Sequence, residues 1–328
     1  MRAWQRLRRR VLTPDVAQTK IEVRGFHLKD EPSRERLETV GSSFLGGFAA
    51  AAEATGPPQA APVVEATPAA YRGFAYEGAA MAFAIRDALP GRRYAHVSRF
   101  LADHDEHVYM AYVGVGWAMA RLPRPLWARL YAPDPLLRWL VLDGYGFHQA
   151  YFKTTRYVHQ RFREASFPWP AGAANGYAVR AIDQGIGRAT WFVAGTDPEH
   201  LVRLFDTFPE HRRPDLYAGA GLAVAYAGGG SAEEMRWLCA AAGEYRADLA
   251  QGAAFAAAAR ERAGLVMPHN ELAAQVLCGL SVSAATRLTD EARVGLPADG
   301  VVPAYEIWRQ RCRSALAAVV SETRAETA

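Results

Sequence analysis

Apolar residues recur at helical spacing along most of this chain. Residues 34–54 have one apolar face, which predicts a helix, and that face holds Leu37, Val40, Phe44, Leu45 and Phe48. Two more helices are predicted at residues 270–288, capped by Asn270, and at residues 305–323. Elsewhere, alanine-rich apolar segments favour helix over strand, and almost nothing is typical of a β-hairpin. The predicted fold class is therefore all-α.

Two stretches depart from this helical pattern. Residues 1–34 are polar and irregular, and residues 56–68 hold four prolines among small residues. The second stretch is predicted to be a loop or extended connector, because proline interrupts regular structure. Residues 1–70 are thus expected to form an N-terminal arm, one helix and a proline-rich connector.

A series of glycine motifs occurs twice in the sequence. Glu77 with Gly78, residues 114–118 and residues 143–147 return as Gln184 with Gly185, residues 219–223 and residues 251–255, at an offset of about 105 to 108 residues. Such self-similarity indicates two repeated helical units, at residues 71–165 and 176–264, followed by C-terminal helices in residues 265–328. We expect antiparallel helix pairs that either stack as a solenoid or close into a toroid-like bundle around an interior cavity.

Polar residues lie inside these apolar stretches, where an unpaired charge is expensive to bury. They must be paired, exposed, or line a polar pocket, and a structural network of Asp–Arg pairs is the alternative to a functional site. The candidate catalytic residues are Glu77, Asp143, His148 and Arg188. The candidate substrate-binding residues are Trp117, Phe147, Tyr151, Asp183, Gln184, Trp191, Asp215 and Gln251. Aromatic walls with a few polar tips are typical of a site for an apolar small molecule.

Basic residues crowd the start of the chain, whose formal net charge is +4 overall. The cluster consists of Arg2, Arg6, Arg8, Arg9 and Arg10 around Trp4 and Leu7. It is either a basic amphipathic segment that rests on an anionic membrane or a solvated flexible terminus, since Pro14 stops any helix early. No apolar run follows the arginines, which excludes a signal peptide, and no stretch approaches the roughly 20 apolar residues that span a bilayer.

Other ligand classes find little support. The three cysteines are widely spaced without a Cys-x-x-Cys motif, which indicates reduced thiols in a cytoplasmic protein. Residues 103–107 combine two histidines with three acids, but no partner cluster follows, so a solvated loop is predicted rather than a metal site. Phosphate-loop, nucleophile-elbow and dinucleotide motifs are absent from the sequence, and arginines are interleaved with carboxylates. Metals, cofactors and nucleic acids are therefore not expected as partners.

Seven ordered motifs carry a resemblance to a known family. They occupy residues 72–81, 114–118, 134–139, 143–148, 183–188, 213–216 and 251–255. Over about residues 25–309 the chain resembles the bacterial DUF1702, or UnbL-like, proteins associated with enediyne polyketide biosynthesis. Proteins of this kind are encoded beside the iterative polyketide synthase that makes the linear polyene precursor of enediynes. The resemblance implies a part in converting or carrying that polyene, but it supplies no catalytic residues.

Three functions are compatible with these expectations. An enzyme would move protons on the bound polyene with Glu77, Asp143 or His148, while Arg188 steadies developing negative charge, and a partner would supply any redox power. A non-catalytic carrier would shield the polyene, or another apolar polyketide, and hand it to other enediyne pathway proteins. A scaffold would join the polyketide synthase to membrane-bound pathway proteins through a peripheral contact at the inner face of the membrane.

Overall fold

The structure is a computed structural model that describes residues 2–90, 95–170 and 176–326. Over these ranges the chain forms helices and no β-strand, which confirms the all-α prediction. The α-helices are α1 (Arg2–Leu12), α2 (Ile21–Arg24), α3 (Glu31–Glu53), α4 (Pro57–Glu65), α5 (Ala69–Ala88), α6 (His96–Asp103), α7 (Val108–Arg121), α8 (Trp139–Phe152), α9 (Tyr177–Val193), α10 (Pro198–Asp206), α11 (Arg213–Ala227), α12 (Ala232–Ala241), α13 (Arg246–Arg262), α14 (Pro268–Ala273), α15 (Val282–Arg293) and α16 (Ala304–Glu326). Short 3₁₀ turns lie at Val16–Thr19, Asp105–His107, Arg124–Arg129, Glu210–Arg212 and Gly243–Tyr245, and π-helical turns at Thr155–His159 and Ala274–Cys278.

Seven helices form a row in which each packs along the next: α3, α5, α7, α8, α9, α11 and α13. Glycines make these contacts unusually close. At the crossing of α8 and α9, an added Cβ on Gly146 would overlap the carbonyl of Ile182, and one on Gly185 would overlap the carbonyl of Asp143. The same reciprocal arrangement occurs where α3 crosses α5, α7 crosses α8, α9 crosses α11 and α11 crosses α13. The glycine motifs therefore bring helix backbones into direct contact.

The predicted boundaries hold for two long helices. The helix expected at residues 34–54 is α3, which begins earlier because Asp30 accepts a hydrogen bond from the Ser33 backbone N–H (2.7 Å) and caps its first turn. The last helix, expected at residues 305–323, is α16. The division into two repeated units, and the choice between solenoid and toroid, stay predictions. Residues 91–94 of the first predicted unit and residues 327–328 of the C-terminal region lie outside the described residues.

The prediction that residues 1–34 are irregular was wrong, because α1 and α2 form there. The contacts that hold α1 are tertiary. The Arg8 guanidinium donates to three carbonyls at the end of α3, those of Ala52 (2.5 Å), Glu53 (2.9 Å) and Ala54 (2.6 Å). A cation at a helix C-terminus also interacts favourably with the helix dipole. The proline that follows α1 ends the helix without preventing it.

The proline-rich stretch was also predicted wrongly, since it contains α4. Pro57 and Pro58 occupy the first two helical positions, where the backbone N–H has no intrahelical partner and the fixed φ of proline suits the helix. Only Pro62 lies further inside. Prolines at a helix start thus gave the same sequence pattern as prolines in a connector.

The helix predicted at residues 270–288 is broken into α14, a π-helical turn and α15. Gly279 adopts a left-handed conformation (φ 71°) and ends the turn, and the Ser281 side chain caps α15. Asn270 lies within the first turn of α14 rather than before it. Its Oδ1 accepts from the Met267 N–H (2.8 Å), and its Nδ2 donates to the Ala225 carbonyl (2.7 Å), which ties α14 to α11.

Candidate functional site

A pocket of about 350 Å³ lies against α3, α5, α7, α8, α9 and α11, with residues 14–19 beside it. Its walls are mostly apolar, and the aromatic residues that line it, besides His148, are Phe44, Phe74, Trp117, Phe147, Tyr151, Phe152, Phe192 and Tyr226. The rings form a continuous series: Phe44 contacts Trp117 (4.5 Å between centroids), and Phe147 contacts both Trp117 and Phe192 (5.2 Å each). Such walls favour a flat or elongated apolar ligand.

Glu77 is a buried carboxylate at this pocket. It lies on α5, is only 2% exposed, and forms no ion pair with any residue that the structure describes. Burial raises the pKa of Glu77 to about 7, with Arg188 opposing the shift and Asp143 adding to it. The carboxyl group therefore exchanges its proton near neutral pH. General acid–base catalysis favours a pKa of this kind.

Arg188 and Asp143 form a buried ion pair next to Glu77. The Arg188 Nη1 donates to one oxygen of Asp143, and Gln184 Nε2 donates to the other at 3.0 Å. Burial alone would lower the pKa of Arg188, but Asp143 and Glu77 outweigh it and raise that pKa. The guanidinium also lies 5.1 Å from the centre of the Phe147 ring. Arg188 thus places a fixed positive charge at the pocket wall.

His148 lines the same pocket, but its imidazole is a much weaker base than an ordinary histidine side chain. Burial lowers its pKa to about 3, so the imidazole is neutral at physiological pH. Its ring packs on Phe152 (4.7 Å) and against the edge of Trp117 (5.5 Å). Of the candidate catalytic residues, Glu77, His148 and Arg188 line the pocket, while Asp143 reaches it through Arg188.

The candidate substrate-binding residues separate into two groups. Trp117, Phe147 and Tyr151 line the pocket. Gln184 lies behind the pocket wall, where it donates a hydrogen bond to Asp143. The remaining four are Asp183, Trp191, Asp215 and Gln251, which do not line it. Trp191 instead donates its indole N–H to the Gly228 carbonyl at 3.0 Å.

The other three residues that do not line the pocket, Asp183, Asp215 and Gln251, are paired with buried arginines. Arg212 donates to Asp183 (Nη2 to Oδ1, 2.6 Å), and Arg309 donates both to Asp215 (Nη1 to Oδ1, 2.7 Å) and to Gln251 (Nε to Oε1, 3.0 Å). The sequence pattern alone did not separate this structural network from the pocket.

Several pocket residues were missed by the sequence reasoning. Phe44, Leu222 and Tyr226 line the pocket although they stood out only as apolar helix positions. Phe192 is not among the missed residues, because its place one helical turn beyond Arg188 indicates the same wall, and it lines the pocket. Tyr226 is buried, and its hydroxyl makes no hydrogen bond among the described residues.

A second, smaller pocket of about 40 Å³ lies on the other side of three shared residues, Arg188, Leu222 and Tyr226. Phe255 and Trp308 line its far wall, with their rings 4.4 Å apart. The two spaces are therefore adjacent and have these three side chains in common.

The predicted solvated loop at residues 103–107 is partly buried. His107 stacks on Tyr76 at 3.5 Å between ring centroids, and the Tyr76 hydroxyl lies 3.0 Å from Nδ1 of His104. His107 is therefore buried rather than solvated, and it fills the space beside α5. Within the described ranges, no group of three or more His, Cys, Asp or Glu side chains is placed to hold a metal ion.

Replacing Glu77 with glutamine is expected to change how stability depends on pH. Between the ordinary pKa of 4.5 and the folded value of about 7, the unfolded chain loses a proton that the folded protein keeps, so this group's contribution to stability falls as pH rises. The shift corresponds to about 3 kcal/mol across that window. Urea unfolding is measured between pH 4 and 8, values chosen to bracket the two pKa values. As the pH rises, the free energy of unfolding of Glu77→Gln should increase by about this amount relative to that of the wild type.

The exposed Glu233→Gln substitution is the matched control, because Glu233 lies on the surface of α12. It should follow the wild-type pH profile. A Glu77→Gln profile parallel to that of the wild type would mean that Glu77 ionises in its ordinary range.

Together, the fold and the site define an all-α protein with an apolar pocket and a buried carboxylate at its wall. Residues 3–316 match the family model described as a protein of unknown function, DUF1702, and the chain belongs to that family. No curated protein and no solved structure matches the chain. Over the described ranges, no single helix has the length and apolar character to cross a membrane. The bent pair Pro268–Cys278 and Val282–Arg293 has them only when its two segments are taken together, by length and composition alone.

Proposed function

We propose that this protein binds a linear conjugated polyene on the way to an enediyne core, and that Glu77 transfers protons on the bound ligand. The observation that carries the proposal is a buried carboxylate without an ion-pair partner in the described residues, at the wall of an aromatic pocket. A site that only holds an apolar molecule has no use for such a costly group.

The form of the pocket supports an elongated ligand. The main pocket and the smaller one share Arg188, Leu222 and Tyr226, so a chain longer than the main pocket extends toward Phe255 when these side chains move. We further propose that the two glycine-motif units are repeats that close into a toroid around these two adjoining pockets. The resemblance to UnbL-like proteins supplies the polyene as the ligand class and other enediyne pathway proteins as partners.

The proposed chemistry is a proton shift along the conjugated chain. The Glu77 carboxylate takes a proton from a carbon next to the conjugated system, and the electron pair of that C–H bond enters the chain. The resulting carboxylic acid returns the proton to another carbon. One C–H bond breaks and one forms, so the step is redox-neutral. Arg188 stabilises the negative charge that develops between the two transfers.

Deuterium incorporation tests the proposal directly. The purified protein is incubated with the linear polyene in D₂O, and the extracted polyene is analysed by absorbance and accurate mass. The wild type should return a polyene that carries deuterium at carbon and has a shifted absorption band. Glu77→Gln should still bind the polyene but lower the exchange rate by about 100-fold or more, the usual contribution of a general acid–base group.

Glu233→Gln is again the control and should exchange at the wild-type rate. Equal exchange by the wild type and Glu77→Gln, with equal binding, would overturn the assignment of Glu77. Binding by both without any exchange would favour the second candidate function, a non-catalytic carrier, for which the apolar walls alone provide support.

A further inference from the structure

The α1 helix presents an apolar stripe to solvent, formed by Trp4, Leu7 and Val11. These side chains are 66%, 50% and 70% exposed, and their spacing of three and four residues puts them on one helical face. Single exposed apolar residues are ordinary on a protein surface. Three on one face, including a tryptophan, form a continuous contact surface.

The face of α1 next to this stripe is fixed to the protein body. Arg8 donates to the final carbonyls of α3, and Arg9 forms an ion pair with Glu53 at 2.8 Å. The helix therefore cannot rotate to bury its apolar stripe without breaking these bonds. The stripe points outward as part of the folded structure.

The charge around the stripe identifies its partner. Arg6 and Arg10 are exposed on α1, and the helix contains no acidic residue. Short helices with a basic polar face and an apolar face that includes tryptophan bind in the interface of anionic membranes. We propose that α1 lies in the headgroup region of an anionic lipid bilayer, with the α1 stripe inserted and its arginines on the lipid phosphates.

This placement brings the bilayer close to the main pocket, because a residue of the pocket wall contacts the end of α1. The Leu12 carbonyl at the end of α1 accepts a hydrogen bond from Arg121 (3.4 Å), and both Arg121 and Thr19 line the pocket. An apolar ligand dissolved in the bilayer therefore reaches the pocket beside residues 14–19. This last step rests on the proposed function, whereas the membrane contact itself does not.

Vesicle co-sedimentation without any polyene tests the membrane contact alone. The full chain should bind phosphatidylcholine vesicles that contain phosphatidylglycerol, bind pure phosphatidylcholine vesicles weakly, and dissociate in high salt. The triple variant Trp4→Ser, Leu7→Ser, Val11→Ser should lose about tenfold or more of its partitioning, as expected when the inserted apolar face is removed. Val294→Ser with Val301→Ser, which changes exposed valines far along the chain, is the matched control and should bind normally.

Two results would overturn the proposal. One is equal sedimentation of the wild type and the triple variant, with circular dichroism showing both folded. The other is a wild-type dimer by light scattering that becomes monomeric in the triple variant, because a second copy would then cover the stripe. Neither result bears on Glu77, whose deuterium exchange is measured in detergent-free solution with the polyene added directly.

Discussion

Methionine in place of Arg188 is expected to destabilise the folded protein by about 3–5 kcal/mol, the usual cost of removing one partner from a buried ion pair. The substitution leaves Asp143 buried with only Gln184 as a hydrogen-bond donor, and Glu77 without the nearby positive charge. The remaining carboxylates must then stay charged in an apolar interior or take up protons. Urea unfolding at neutral pH measures the loss.

The control is Arg203→Met. Arg203 pairs with Glu199 on the surface of α10 at 3.6 Å, and both side chains are exposed. Such pairs contribute at most about 1 kcal/mol. The double variant Arg188→Met, Asp143→Asn should recover part of the lost stability, because its buried carboxylate is gone. Equal losses for Arg188→Met and Arg203→Met would contradict the buried ion pair.

Valine in place of Gly185 is expected to cost at least about 3 kcal/mol, more than most overpacked cores. A Cβ at this position overlaps the Asp143 carbonyl of α8, which is backbone and cannot swing aside as a long side chain can. The two helices must separate, and Gly146 on the same crossing loses its contact with Ile182. Thermal or urea unfolding should show the effect, with loss of soluble folded protein as its extreme form.

Gly46 provides a control with the opposite sign. It lies inside α3, and a Cβ there meets nothing within 4 Å. Gly46→Ala should therefore stabilise the protein by about 0.5–1 kcal/mol, since alanine favours the helix interior over glycine. If Gly185→Val proved as harmless as Gly46→Ala, the direct backbone contact between α8 and α9 would be wrong.

Local sequence was enough to predict the elements whose stability is local. The apolar face of α3 and the long pattern of α16 both gave helices close to their expected bounds. The helix α1 could not be predicted in the same way, because its polar sequence is held by Arg8 on carbonyls about 44 residues away. Similarly, α14 and α15 are separated at Gly279, whose left-handed conformation a sequence pattern does not reveal.

For the site, the sequence predicted polar groups inside apolar helices but not their partners. Asp183 and Glu77 occupy comparable contexts, yet Arg212 neutralises Asp183 from 29 residues away while Glu77 remains without an ion pair in the described chain. The pairing of Arg309 with Asp215 spans 94 residues and joins α16 to α11. Which acid remains without an ion pair is therefore decided by tertiary contacts, and only the three-dimensional arrangement separates Glu77 from its neighbours.

The glycine-to-carbonyl crossings also bear on how this fold can diversify. Because backbone touches backbone at the helix crossings, the distance between helix axes is fixed independently of the side chains that line the pocket. Leu37, Met81 and Leu222 can then be exchanged for larger or smaller residues without shifting the helices that carry them. The backbone contacts thus set the positions of the helices, while the side chains set the width of the pocket. Proteins built on this fold can therefore accept ligands of different widths while keeping the same scaffold.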